Sequence, residues 1–169
     1  INAYGWKYPL AKGCVTSEFT RSIRNDWSGG GAHYAIDLDC VSEGTPIYAA
    51  ADGVIARIAN YETCGGNALY ITHTVNGKKY TTVYMHLLKY ADSTYVGKVV
   101  TDKTVIGYVG GWSTSAAHGG KDRCTTGTHL HFGIAEGHNP WNFNPYAINP
   151  REIFAFPKLV YNGGGYFYR

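Results

Sequence analysis

Apolar residues recur in this chain at every second position rather than every third or fourth, and that period decides what it can fold into. In THLHFGI (128–134), Leu130, Phe132 and Ile134 share one face of an extended strand, while His129, His131 and Gly133 share the other. GAHYAIDLDC (31–40) repeats the pattern, with Tyr34, Ile36 and Leu38 opposite His33, Ala35 and Asp37. The same reading places strands at 14–19, 34–39, 46–50, 53–59, 68–74, 79–87, 105–109 and 129–135. HTVNGKKY (73–80) sets Asn76-Gly77 between two β-prone runs, the signal of a tight hairpin turn. GTPIYAAADGVIARIA (44–59) reads as two short strands meeting at Asp52-Gly53. No amphipathic helix of useful length stands out, and 150–155 reads at most as a short turn. The expected fold is all-β.

At 169 residues the chain is expected to form a single domain with a real core. Its core would cover about 15–135, with the aromatic-rich C-terminal extension 138–169 packing around the sheet. Charged residues are sparse at 16 %, whereas Gly (22) and Tyr (15) are abundant, which suits strands joined by tight turns. A net charge of +3 without a basic run or basic helix argues against nucleic acid and fits an anionic surface such as a cell wall. No apolar run reaches the length of a membrane span and no signal peptide is visible. The chain starts at Ile1 without Met, which reads as a mature form or an excised domain. Cysteines at 14, 40, 64 and 124 form no paired CxxC zinc pattern and read as two disulfides in an exported protein. Strands 14–19 and 34–39 as neighbours would bring Cys14 and Cys40 to the same end, leaving Cys64 with Cys124.

Three segments offer histidine towards a possible shared surface: His33 with Asp37, His129 with His131, and TVYMHLLKY (82–90), where alternation puts Tyr84, His86 and Leu88 on one face. A catalytic zinc takes three ligands from His, Asp or Glu and keeps a position for water, so this set holds two residues beyond the need. No HExxH helix supplies a glutamate base; the spare histidines suit proton transfer and oxyanion stabilisation. Two long loops, 21–32 and 110–127, each end just before a candidate ligand segment.

HxxxD at 33–37, YMHL at 84–87 and HLHF at 129–132, in this order, resemble the lysostaphin/LytM-type zinc endopeptidases. GGAHYAID, GTPIYAAADGVI and YMHLLKY carry the resemblance furthest; TSEFTR (16–21) and VIGYVG (105–110) extend it over about 15–135. It implies a folded antiparallel sheet with an open groove bordered by loops. It implies a single zinc ion held by His33, Asp37 and His131, with His86 and His129 as catalytic residues, and Tyr84 at the motif's aromatic position. The implied activity is hydrolysis of peptide bonds in bacterial peptidoglycan by a secreted monomer acting on wall peptides. A non-catalytic wall-binding or regulatory domain on the same fold, and a peptidase for free proteins, are the alternatives.

The chain departs from the family pattern at Ala35, where Gly is usual, at Thr128, where Pro commonly precedes HLH, and at Gly133, where a larger residue is frequent. These bear on groove shape rather than on ligands. His73, His118 and His138 are expected to be structural, and Asp39 to support the site or to meet solvent.

Overall fold

The computed structural model describes residues 1–22, 31–60, 64–111, 125 and 127–169. Its strands, all paired antiparallel, are β1 (Lys12–Ser17), β2 (Ile36–Asp39), β3 (Pro46–Tyr48), β4 (Gly53–Asn60), β5 (Asn67–Val75), β6 (Lys78–Tyr90), β7 (Val99–Val100), β8 (Val105–Val109), β9 (Leu130–Glu136), β10 (Ala147–Ile148) and β11 (Phe167–Tyr168). The all-β architecture expected from the alternating pattern is the one observed. The sheet runs β11-β1-β2-β9-β6-β5-β4-β7, with β10 beside β9 and the β3–β8 pair joined to β6. β7, β10 and β11 were not anticipated, because two residues are too few to show a period. Residues 150–155 begin with a 3-10 turn, Pro150–Glu152, capped by Asn149 and Glu152 in a reciprocal box. Among the described residues no helix is long and apolar enough to cross a membrane.

One face of the sheet buries the main core, in which Leu130, Phe132 and Ile134 of β9 meet Ile36 and Leu38 of β2 and Tyr84 of β6. The C-terminal extension closes this core with Phe154, Phe156 and Phe167. The opposite face carries a smaller cluster, Ala59, Ala68, Tyr70, Val83, Ala135, Phe143 and Ala147, with Met85 packed against it. Asn76 (φ 51°) and Gly77 (φ 79°) both take left-handed dihedrals between the paired residues Val75 and Lys78. That is the two-residue turn whose twist matches a hairpin, as the Asn-Gly pair predicts.

β6 is the longest strand and changes partners along its length. Tyr80–Met85 pairs with β9, and Leu87–Tyr90 with β8. Opposite it on β5, Leu69 meets Tyr84 and Asn67 meets Leu87, so Met85 and His86 together face Ala68 alone. This is a β-bulge, and His86 in it has φ 63°. The alternation slips by one there: Tyr84 and Leu87 both point into the main core and are fully buried. Tyr84 and His86 therefore do not share a face, which corrects the expectation from simple alternation.

Cys14 and Cys40 are disulfide-bonded with their Cα atoms 5.5 Å apart. β1 and β2 are neighbours, with Cys14 opposite Asp39, so the bridge follows from strand adjacency as expected. The second expected bridge requires Cys124, which lies outside the described residues, as does His118.

Candidate metal centre

His33 stands ahead of β2 rather than within it. Its N–H donates to the Thr20 carbonyl and its carbonyl accepts from the Thr20 N–H, and the chain bends at Ala35 before the strand starts at Ile36. The strand expected to begin at Tyr34 thus begins two residues later, because His33 pairs with the segment after β1 instead. Asp37 on β2 lies directly opposite His131 on β9, and His131 lies opposite Met85 on β6. Cross-strand partners share a face, so these three side chains line up across the sheet. His33 Nε2 is 3.2 Å from Asp37 Oδ1, and His131 Nδ1 is 3.4 Å from the same oxygen. One ligand atom from each of His33, Asp37 and His131 falls within 4.8 Å of the others.

The remaining two histidines flank this triad. His129, two residues before His131 and so on its face, places Nε2 3.9 Å from Asp37 Oδ1. The ring of His86 lies 5.1 Å from that of His129 and 6.0 Å from that of His131, centre to centre. The bulge turns His86 onto this face. Its N–H donates to the Gly65 carbonyl, and its own carbonyl accepts from the Gly110 N–H. A non-glycine residue at positive φ is strained by about 1–3 kcal/mol, and these two bonds hold it in place.

Backbone carbonyls fix two of the rings. The Glu18 carbonyl takes the Nδ1 proton of His33 at 2.8 Å, and the Gly127 carbonyl takes that of His129 at 3.0 Å. A carbonyl only accepts, so each ring puts an Nδ1–H to it, and in the neutral form Nε2 is left bare towards the triad. Glu18 is itself gripped: Arg151 Nε and Nη2 reach its two carboxylate oxygens at 2.8 and 3.2 Å. The same guanidinium donates to the carbonyls of Phe156 and Pro157, which ties the extension to the segment that orients His33.

The charges suit metal binding. Burial pushes the Asp37 carboxyl up, but hydrogen bonds to His131 and His33, with the charges of His129 and His131, outweigh it and hold the group well below the ordinary range. Burial depresses the His131 imidazole to about 4, against the opposing pull of Asp37. At neutral pH Asp37 is thus a carboxylate and His131 a neutral imidazole, the forms in which these groups bind a divalent cation. Two nitrogens and one oxygen converging from one side are the donor set of an open zinc site.

Asp39 does not reach the triad among the described contacts. Its Oδ1 accepts the Cys40 N–H at 2.7 Å and so braces the left-handed residue Cys40 (φ 65°), while burial raises its pKa. His73 and His138 lie away from the site: His138 Nε2 donates to the His73 carbonyl, and His73 is buried beneath Trp6. Gly133 has a steric cause. A Cβ there would come within 2.9 Å of Val83, 3.0 Å of the Tyr34 carbonyl and 3.1 Å of the Phe143 ring. Phe143 from the extension fills the space that a larger residue would need. Sequence reasoning did not single out Glu18, Arg151 or Phe143. A main-chain carbonyl leaves no mark in a sequence, Arg151 meets Glu18 across 133 residues, and the Phe143 ring folds back onto Gly133 from the extension.

The chain belongs to peptidase family M23, whose sequence pattern matches residues 31–145. It is 31 % identical over 149 residues to an uncharacterized metalloprotease of Haemophilus influenzae, covering 87 % of this chain and 26 % of that protein. It is 36 % identical over 89 residues to the peptidoglycan DD-endopeptidase ShyC of Vibrio cholerae, covering 53 % and 17 % respectively. The chain thus spans about a quarter or less of these relatives. Among solved structures, LytU superposes with a TM-score of 0.62 at 31 % identity, covering 89 % of this chain and 90 % of its own. Lysostaphin of Staphylococcus simulans gives 0.65 at 23 % identity, with coverage of 89 % and 54 %, a likeness of fold.

Proposed function

We propose that this chain is a zinc-dependent endopeptidase that hydrolyses peptide bonds in the stem or cross-bridge peptides of bacterial peptidoglycan, acting outside the cytoplasm. The observation that carries the reading is the convergence of His33, Asp37 and His131 within 4.8 Å, with His86 and His129 beside them. Membership of a peptidase family and a relative named as a peptidoglycan endopeptidase support it. The Cys14–Cys40 disulfide supports an oxidising compartment.

His33 through Nε2, Asp37 through its carboxylate and His131 through Nδ1 would hold the ion. Zinc bound there would act as a Lewis acid towards a carbonyl and bring water near neutrality in acidity. The chain's own groups do the rest. His129 Nε2, left bare by the Gly127 carbonyl, accepts a proton from the attacking water and delivers it to the departing amine. His86 donates a hydrogen bond towards the carbonyl oxygen as its negative charge grows. Water adds hydroxide to the carbonyl carbon and a proton to the nitrogen, and the C–N bond breaks.

The test is zinc content together with hydrolysis of purified peptidoglycan. The wild-type chain is expected to hold one equivalent and release new amino termini, and Asp37→Ala to lose most of both. Full zinc occupancy in that variant would remove Asp37 from the ligand set. Wall binding without release of termini would favour the non-catalytic reading.

A further inference from the structure

We propose that the concavity bounded by Arg57, Tyr70 and Trp141 is a carbohydrate subsite that takes one N-acetylhexosamine ring of a glycan strand. The inference deepens the peptidoglycan reading and rests on it for the biological source of the sugar.

The site is built on the same sheet face as the histidines. His131 and Met85 are a cross-strand pair, and Gly133, Val83, Tyr70 and Arg57 form the next row on that face across β9, β6, β5 and β4. Above the row the chain after β9 is pinned. Thr81 Oγ1 accepts the Asn139 N–H at 2.8 Å, and Arg57 Nη1 donates to the Pro140 carbonyl at 3.1 Å. The Arg57 guanidinium stacks on two rings, 4.3 Å from the centre of Trp141 and 4.8 Å from that of Tyr70. It therefore holds the indole in place from one side. Trp141 is nonetheless 74 % exposed, so most of the ring faces solvent.

A rigid, exposed indole face beside a cavity of about 230 Å³ has a specific chemical complement. Pyranose rings present a face of weakly positive C–H groups, which suits the negative face of an aromatic ring. Their rims carry hydroxyl and acetamido groups, which need partners that both donate and accept. The exposed amides of Asn142 and Asn144 on the cavity wall supply both. The volume is below the ~300–1,000 Å³ of drug-sized sites, which suits a single ring. A free carboxylate fits less well, because Arg57 is committed to two rings and the Pro140 carbonyl.

The position also fits a substrate in which peptide and sugar are covalently joined. Two to three strand spacings and two residues of rise separate His131 from Tyr70 and Arg57, roughly 12–16 Å. About four extended residues span that distance, the length of a peptidoglycan stem. A stem peptide lying over the histidines would deliver its sugar to this ring.

Titration with an N-acetylglucosamine tetramer, followed by NMR of the indole and side-chain amide signals, tests the site without requiring catalysis. The expected result is millimolar binding with shifts at the Trp141 indole and the Asn142 and Asn144 amides. Binding should weaken about five- to tenfold in Trp141→Ala, the scale of one lost ring contact, and less in Trp141→Phe. An unchanged melting temperature would show that Trp141→Ala is folded. A second arm compares hydrolysis of intact walls with that of glycan-free cross-linked peptides; the ratio should fall in Trp141→Ala. Absence of shifts at millimolar tetramer, or shifts that persist in Trp141→Ala, would overturn the proposal. Failure of the peptidase reading would look different: no hydrolysis of either substrate, with tetramer binding intact.

Discussion

His73 should make this fold acid-labile in a way that can be separated from the metal centre. The ring is buried in the middle of β5, with Nδ1 2.9 Å from the Asp52 carbonyl and Nε2 2.7 Å from Thr82 Oγ1. Thr82 Oγ1 is also 2.8 Å from the Tyr84 hydroxyl, which accepts the Ala50 N–H at 3.0 Å. The Asp52 carbonyl claims the single proton of the neutral ring, and a second proton on Nε2 would place a charge in the core. Burial accordingly depresses His73 to about 4, with the charge of His138 acting in the same direction. The unfolded chain titrates near 6.5, so between these values it binds more protons than the folded state, and stability falls as pH falls. Full stabilisation holds above about pH 6.5. From a gap of about 2.5 units at 1.36 kcal/mol each, the loss approaches roughly 3 kcal/mol below pH 4 and is already about 2 kcal/mol at pH 5.

The perturbation is His73→Gln, which cannot take a charge. Both proteins would be unfolded in urea with a chelator present, so that titration of the metal-site histidines is common to the pair and cancels in the difference. The variant should be less stable at pH 7.5, because it gives up the buried imidazole contacts. The gap should then close by about 2 kcal/mol on going to pH 5. Parallel stability curves across that range would refute the reasoning, and would mean that His73 is either solvated or already protonated in the folded state.

Replacing His86 or His129 with Ala should leave zinc content intact and lower turnover by about 10²–10⁴-fold. A variant that lost zinc together with activity would belong among the ligands instead. Arg151→Ala should lower stability by about 1–2 kcal/mol, allowing for the partial exposure of its ion pair with Glu18. It should also weaken zinc binding in chelator competition, by less than the 10–100-fold typical of direct support to a ligand, and Arg151→Lys should not restore it, since only the planar fork reaches both carboxylate oxygens.

Where a strand keeps its period, sequence and structure agree. β9 could be read from 129–135 because Leu130, Phe132 and Ile134 enter the main core while His131 and Gly133 face away from it. The Cys14–Cys40 bridge was readable for the same reason, since two adjacent strands end together. What escaped the sequence escaped because its cause lies elsewhere in the chain. The family pattern shows Gly133 as a departure, but the Phe143 ring that requires it comes from the extension. His33 is aimed by the Glu18 carbonyl, and a carbonyl is common to every residue type.

His86 is the most telling case. Alternation places it beside Tyr84, yet a bulge against Ala68 turns it towards His129 with a positive φ that no glycine advertises. The bulge falls where β6 leaves β9 for β8, so one partner strand carries His129 and His131 and the other leads to the Gly110 N–H that bonds the His86 carbonyl. Had β6 continued regularly along β9, His86 would point into the main core with Tyr84. The change of partner is thus what brings the third histidine-bearing segment to the face shared by the other two.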